Sequence, residues 1–446
     1  MKRKHSAALA LAALALTDGP VGLAQSNPAA TAQAGPSQNH SAEDTRPHLR
    51  FDDYLAEAMR FNLDLAAQRA TVALAHAGLT TAAQRPDWSA DFGLPVVDLS
   101  GQGNPTTFSI GLDAPIELGG KRGHRMRAAK QDLSTANADY DDAVRQLRAT
   151  ATGAFIDALS ARAILVSKQK SIAELERIVS VNEERHRVGE IGEIELVQSR
   201  VERDQFEADM ISAEANVVSA DLLLGQVLGK PERIADSLPV PDGTLDIPLR
   251  TFDVTQLVVL ALERRPDVLA KQRAVKAAEL RIELANVNLL PDLTVSGAYS
   301  HLAAGSGGFV QPADNTLSAT LSVNLPFSRW KNRGEQETAR ANRTQAEIQL
   351  QATRLRAETE VRDAFAQYGA AVKRLHVYRD GLLKDADRVL EARLYAYQRG
   401  GSTLLEVIDA QRTSADIYLS YAQALADHAR ALVTLEQAAA IWDVSF

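Results

Sequence analysis

Two stretches free of proline, residues 116–230 and 327–446, restrict what this chain can fold into more than any other feature of it. A run that long without a helix breaker is either one helix or a hairpin of two, if something turns it. Glycines supply the turn, in "HRVGEIGEIELVQSR" at 186–200 and in "QRGGSTLLEVIDAQR" at 398–412. Gly189, Gly192, Gly400 and Gly401 permit the left-handed backbone that ends one helix before the next begins. Each stretch therefore predicts a helical hairpin with arms of roughly 65–70 and 40–50 residues, about 100 Å and about 65 Å long. In the last arm Ile408, Ala415, Leu419, Ala422, Ala426, Ala429 and Val433 recur at heptad spacing. Such small seam residues let helices approach closely. With an aromatic content of 5%, they predict a thin helical wall rather than a thick globular core.

The segments before the long helices have a different period. "LTVSGAY" (293–299) sets Leu293, Val295, Gly297 and Tyr299 against Thr294, Ser296 and Ala298, and "LSATLSV" (317–323) alternates in the same way. Period two with one apolar and one polar face is the pattern of a strand. "TFSIGLD" (107–113) repeats it with Phe108, Ile110 and Leu112, after a weaker strand around Trp88 to Leu99.

The plan thus occurs twice. "EAMRFNLDL" (57–65) matches "LALERRPDV" (260–268), "QRPDW" (84–88) matches "LLPDL" (289–293), and "APIELGGKRG" (114–123) matches "LPFSRWKNRG" (325–334) loosely. Two copies of one unit explain the two similar turns. The expected organisation is a first structural repeat at 49–228, with strands at about 87–99 and 106–115 and a hairpin at 118–228, then a proline-rich linker at 229–252. A second repeat follows at 253–446, with strands at about 292–302 and 315–325 and a hairpin at 328–442.

The start MKRK, the apolar run "AALALAALAL" and the small residues before Gln25 predict a secretory signal peptide at 1–24. The polar stretch 25–48 predicts a disordered leader. Removing the signal takes away three positive charges (Lys2, Arg3, Lys4) and one negative (Asp18), moving the formal net charge from −8 to −10. An acidic chain argues against nucleic-acid binding. There is no cysteine, so disulfides, thiolate metal sites and a lipidated N-terminal cysteine are excluded. No stretch after the signal predicts a transmembrane helix, which leaves a chain outside the cytoplasm or one inserted through β-strands.

Four strands do not close a membrane barrel, which needs at least about eight, so strands facing lipid require several chains to share one barrel. The duplicated plan, the "PDW" and "PDL" strand entries and the turns "RVGEIGEIELVQ" and "QRGGSTLLEVIDAQ" together resemble the TolC-type outer-membrane efflux factor family. "PIELGGKRGHR" (115–125) is similar to its heavy-metal branch, which handles cobalt, zinc and cadmium. The resemblance implies a mainly α fold with a β-barrel portion. A homotrimer would form a transmembrane β-barrel of twelve strands, continued by a long periplasmic α-helical barrel. It also implies a periplasmic adaptor (membrane fusion protein), an inner-membrane proton-driven pump of the RND type and outer-membrane lipid around the barrel. The glycines at 119–123 are not followed by the Gly-Lys-Ser/Thr of a P-loop, and no Ser/His/Asp or nucleophile-elbow pattern is present, so no enzyme and no cofactor is expected.

By the same resemblance Glu195, Glu406 and Asp409 fall where the family lines its closed periplasmic entrance with acidic groups. Arg187, Val188, Gly189, Arg399, Gly400 and Gly401 fall where it meets the adaptor, and Tyr397 matches a tyrosine that restrains the closed tip. Plainer readings stand beside these. Thr403 and Glu406 have the spacing of a capping box, Asp409 can sit solvated near a helix N-terminus, and "KRGHR" (121–125) reads as a charged first turn in preference to a basic patch at the membrane-water boundary. His124, His186, His301, His376 and His428 lack ligand spacing, so no metal site is expected. The functional expectation is a passive exit duct for divalent heavy-metal cations in a tripartite efflux system. The alternatives are a duct for drugs or for type I protein secretion, and a coiled-coil envelope scaffold with no channel.

Overall fold

The computed structural model describes residues 48–94, 107–229, 240–304, 312–325 and 329–443. The expected signal peptide, the leader up to residue 47, Pro231 and Pro239 of the linker, and most of the two strand-connecting loops lie outside the described residues. His48, expected at the end of the leader, begins strand β1 (His48–Arg50), which pairs in parallel with β4 (Val240–Asp242) inside the expected linker.

The remaining elements come in two matching series. The first is α1 (Phe51–Phe61), α2 (Leu63–Ala82), β2 (Ser89–Gly93), β3 (Thr107–Ile116), α3 (Lys121–Arg187) and α4 (Glu193–Val227). The second is α5 (Val254–Arg264), α6 (Pro266–Val287), β5 (Asp292–Leu302), β6 (Asp314–Asn324), α7 (Arg329–Val377), α8 (Leu383–Gln398) and α9 (Leu404–Ala439). Both series break their first helix at the matched position. Asn62 (ψ 128°) leaves the helical region and its side chain accepts from the Leu65 amide at 3.0 Å. Arg265 (ψ 125°) does so because it precedes Pro266, whose ring excludes the α conformation at the residue before it.

The main core forms where α1, α3, α4, α5, α7 and α9 meet. Phe51 and Tyr54 pack on the ring of Phe155 at centroid distances of 5.4 and 5.6 Å. The small seam of α9 lets the other helices close in, and Ala426, Ala429, Leu432 and Leu435 are fully buried. One 18-residue window in α3 is long and apolar enough to cross a bilayer, where the sequence reading expected none. The helix carries core residues Ala151, Phe155, Ile156 and Leu159, so its apolar character serves packing against the other helices.

The hairpin arms differ from expectation in two respects. α4 and α9 have 35 and 36 residues, shorter than 40–50, because left-handed backbone at Gly229 and Ala440 ends them. The long arm of the second hairpin is also interrupted, by a π-helical segment at Tyr378–Leu382 that opens α8. Its Arg379 is held by an ion pair to Asp246.

Close to that segment, His428 is fully buried on α9 with its ring 5.5 Å from that of Tyr368, and neither ring nitrogen has a hydrogen-bond partner among the described residues. Burial, reinforced by Arg379 and opposed by Asp246, lowers its affinity for a proton below that of an ordinary histidine at 6.5. The unfolded chain then takes up a proton that the folded chain refuses, so stability is full above pH 6.5 and is lost as pH falls through the depressed folded value. His428→Leu should flatten this acid limb. The check is the difference in unfolding temperature between pH 7.5 and pH 5.5, and an unchanged difference would remove His428 from the account.

Candidate functional site

The four-stranded sheet runs β2-β3-β5-β6, antiparallel throughout. Its register gathers the apolar residues on one face. Phe92 stands opposite Ile110, Ile110 opposite Tyr299, and Tyr299 opposite Leu317; lower in the sheet Val295 faces both Ala114 and Leu321. The other face carries Ser109, Asp113, Ser296, Ser300, Ser318 and Thr320. β6 is exposed along its entire length, with Leu317 at 84% and Leu321 at 65%. Water disfavours such a face by about 25 cal/mol for each Å² of apolar surface; lipid does not. β3, β5 and β6 have 10, 11 and 11 residues, the length of a tilted strand that crosses a bilayer, about 9–11 residues. Among the described residues β2 and β6 each pair on one side only, leaving two open edges.

Strand and helix meet at the "KRGHR" segment. Lys121 Nζ, almost buried, donates to Asp292 at 2.8 Å, Arg122 Nε donates to the Ala83 carbonyl at 2.6 Å, and Arg125 grips Glu117. These bonds tie the start of α3 to the end of α2 and the start of β5, so this is more than a charged first turn. Gly119 is left-handed at φ +72°, and a Cβ there would lie 2.2 Å from Leu290 Cδ1.

The two helix-to-helix turns are built identically. After Val188, the Gly189 amide donates to the His186 carbonyl and the Glu190 amide to that of Arg185; after Arg399, the Gly400 amide donates to Tyr397 and the Gly401 amide to Ala396. Both are Schellman closures with glycine in the left-handed position, φ +80° at Gly189 and +72° at Gly400. Gly192 and Gly401 are not left-handed, and Gly192 is the extended residue that precedes α4. Arg187, Val188, Gly189, Arg399, Gly400 and Gly401 are all exposed on these turns. Arg187 pairs with Glu184 one turn back, and the Arg399 guanidinium lies 3.5 Å from the Tyr395 ring centroid.

Tyr397 is buried beside Leu175, Ile178, Leu404 and Val407. Its hydroxyl donates to Asn182 Oδ1 at 2.7 Å, joining α8 to α3, and the Arg185 guanidinium lies 4.8 Å from its ring centroid. Burial raises its phenol above the ordinary range, and Glu195 acts on it in the same direction. Glu195 itself is exposed on α4.

Glu406 completes a capping box: it accepts from the Thr403 amide at 3.1 Å while the Thr403 hydroxyl accepts from the Glu406 amide. The Ser402 hydroxyl first, then the Thr403 amide and Arg393, holds this carboxyl below the usual glutamate range. Asp409 lies one turn further along α9 and lines the same groove as Glu406, Arg393 and Asp385. The structure thus brings Glu406 and Asp409 together beside α8, and places Glu195 on the other hairpin.

A second tie between the hairpins is absent from the sequence reading. Arg412 on α9 grips both carboxylate oxygens of Glu202 on α4, which is 4% exposed. A signal for both ties was present. Asn182 and Glu202 are polar residues at buried positions of helical spacing, Leu175, Ile178, Asn182 on α3 and Leu196, Ser199, Glu202 on α4.

Comparison with known proteins places this geometry. Residues 54–230 and 257–440 match the family model described as outer membrane efflux protein. The cobalt-zinc-cadmium resistance protein CzcC of Cupriavidus metallidurans is 25% identical over 74% of this chain and 76% of its own. The pyoverdine export outer membrane protein OpmQ of Pseudomonas putida is 27% identical over 87% and 85%. The crystal structure of the CmeC outer membrane channel of Campylobacter jejuni superposes with a TM-score of 0.73 at 19% identity, covering 87% of this chain and 85% of that one. The two series of elements are the two halves of one channel subunit, and the chain belongs to the outer membrane efflux protein family.

Proposed function

We propose that three copies of this chain close one barrel in the outer membrane and continue it into the periplasm as a passive exit duct. The observation that carries this is the four-stranded sheet with open edges at β2 and β6, one apolar and one polar face, and strands of bilayer length. Pairing β6 of one copy with β2 of the next removes both edges and surrounds a polar lumen. Nothing in such a duct supplies energy, so transport depends on an inner-membrane RND-type pump and a periplasmic adaptor. The exposed turns at 187–189 and 399–401 are the surface proposed for that adaptor. The proposed cargo is divalent heavy-metal cations, supported by the likeness to CzcC. Glu195, Glu406 and Asp409, repeated by the three copies, would line a cation-favouring entrance. The likeness to OpmQ favours a second reading, a duct for organic cargo.

The test is a host with this gene deleted, challenged with zinc, cobalt and cadmium and with a panel of drugs, then complemented. Sensitivity to metals that is restored by the wild-type gene, and restored poorly by Glu406→Gln with Asp409→Asn, is the expected result. Sensitivity to drugs alone would keep the duct and discard the metal cargo, and full rescue by the double variant would discard the acidic entrance.

A further inference from the structure

On one side of α9 runs a cleft of about 560 Å³ between α3 and α8, within the usual size range of small-ligand sites, about 300–1,000 Å³. It adjoins the groove that holds Glu406 and Asp409 at Ser414 and shares no other lining residue with it. Its floor is the stripe of α9 formed by Gln411, Ser414, Ala415, Tyr418 and Ala422, residues at helical spacing that project to one side. Three features of this cleft point to a ligand.

Gln411 is 3% exposed, yet its Oε1 has no hydrogen-bond partner among the described residues. An unfilled acceptor at a buried position has lost its water without a replacement, and a donor entering the cleft would relieve it. The walls bring three carboxylates, Glu174 on α3 and Asp387 and Glu391 on α8, against one cation, Lys170. Glu174 also accepts from Arg177, and both oxygens of Asp387 accept from the Tyr418 hydroxyl at 2.9 and 2.8 Å. A carboxylate oxygen bonded once still has lone pairs for a second donor. Finally, the Lys170 ammonium already lies 5.3 Å from the Tyr418 ring centroid, so the aromatic floor accepts a cation. Burial first, and the bond to Asp387 second, push the Tyr418 hydroxyl up to about 12, which keeps it a neutral donor to Asp387 at any working pH.

We infer that this cleft binds a small organic cation, an ammonium or amidinium group on an apolar or aromatic body. The cationic head takes the place beside Asp387 and Glu391 and donates to Gln411 Oε1, while the body lies on Tyr418, Ala415 and Ala422. An anion of the same size would face three carboxylates. A divalent metal would find no adequate ligand set, since no group of three or more His, Cys, Asp or Glu side chains stands together among the described residues. The occupant is therefore chemically distinct from the proposed metal cargo. Because it spans α3 and α8, it would also join the two hairpins.

Ethidium is a suitable probe: a planar aromatic cation with amino donors whose fluorescence polarisation reports binding. The purified full-length protein in detergent, with empty micelles as blank, should bind ethidium saturably at one per chain. Gln411→Leu and Asp387→Asn should each weaken binding by about tenfold, the loss expected for one charge-assisted contact. Asp385→Asn, in the neighbouring groove, should leave it unchanged, and all three variants should still unfold cooperatively, Gln411→Leu no earlier than the wild type because it removes an unfilled buried acceptor. An anionic naphthalene sulfonate dye should not compete. The inference is overturned if ethidium fails to bind, which is the result if a helix of another copy fills the cleft. It is overturned equally if binding does not saturate or is indifferent to Gln411 and Asp387. None of these outcomes bears on the exit duct.

Discussion

Leu321→Arg should abolish accumulation of the assembled protein in the outer membrane, whereas Thr320→Arg, one residue away, should be tolerated. The contrast follows from the period of a strand. Leu321 stands opposite Val295 on the apolar face and is 65% exposed in the single chain, while Thr320 stands opposite Ser296 on the polar face. If the apolar face meets lipid, an arginine there costs about 2–4 kcal/mol near the bilayer midplane, and each copy in the barrel incurs it. An arginine at 320 projects into water. The amount of heat-modifiable oligomer in the outer-membrane fraction decides the matter, and equal loss for the two variants would mean that the faces are assigned wrongly.

The strands could be read from the chain for the same reason. A wall with lipid on one side and water on the other forces alternation, and 293–299 and 317–323, within β5 and β6, show it, with Ala298 the one apolar residue on the polar face. β2 is harder to see, because it has only five residues, Ser89–Gly93, and few alternations fit in it. Of the long helices, the glycine turns could be located because left-handed closure at Gly189 and Gly400 demands glycine. The π-helical segment at Tyr378–Leu382 could not, since Gly381 is its sole local mark and a lone glycine is tolerated inside a helix.

The site divides along the same line. The capping box at Thr403 and Glu406 is local, spans three residues and was open to reading from its spacing. The ties between Tyr397 and Asn182 and between Arg412 and Glu202 join residues 215 and 210 apart in sequence. Each depends on the register between two hairpins, which no local pattern records.

If the two glycine turns form the proposed periplasmic tip, those ties hold it together, and the stronger of them should matter most. α4 and α9 meet sparingly, and the Arg412–Glu202 pair is one of the contacts that joins them. Glu202 is 4% exposed, whereas the Arg412 side chain is half exposed. Arg412→Ala therefore leaves a carboxylate at a buried position without its guanidinium. A fully buried pair broken in this way costs about 3–5 kcal/mol, and the exposure of Arg412 places this one near about 2–3 kcal/mol. Tyr397→Phe removes the hydroxyl from Asn182, which is fully buried and whose Nδ2 already lacks a partner, at about 1–3 kcal/mol. Single-channel conductance in planar bilayers should rise in both variants and more in Arg412→Ala, with hydrogen exchange speeding up around the two turns. Replacing both members of the pair, Arg412→Leu with Glu202→Leu, should bring conductance and exchange back toward the wild type, because an apolar contact replaces a stranded charge. A double variant as leaky as Arg412→Ala would show that the charges act otherwise than through this contact, and an Arg412→Ala channel with unaltered conductance would show that this pair does not restrain the channel.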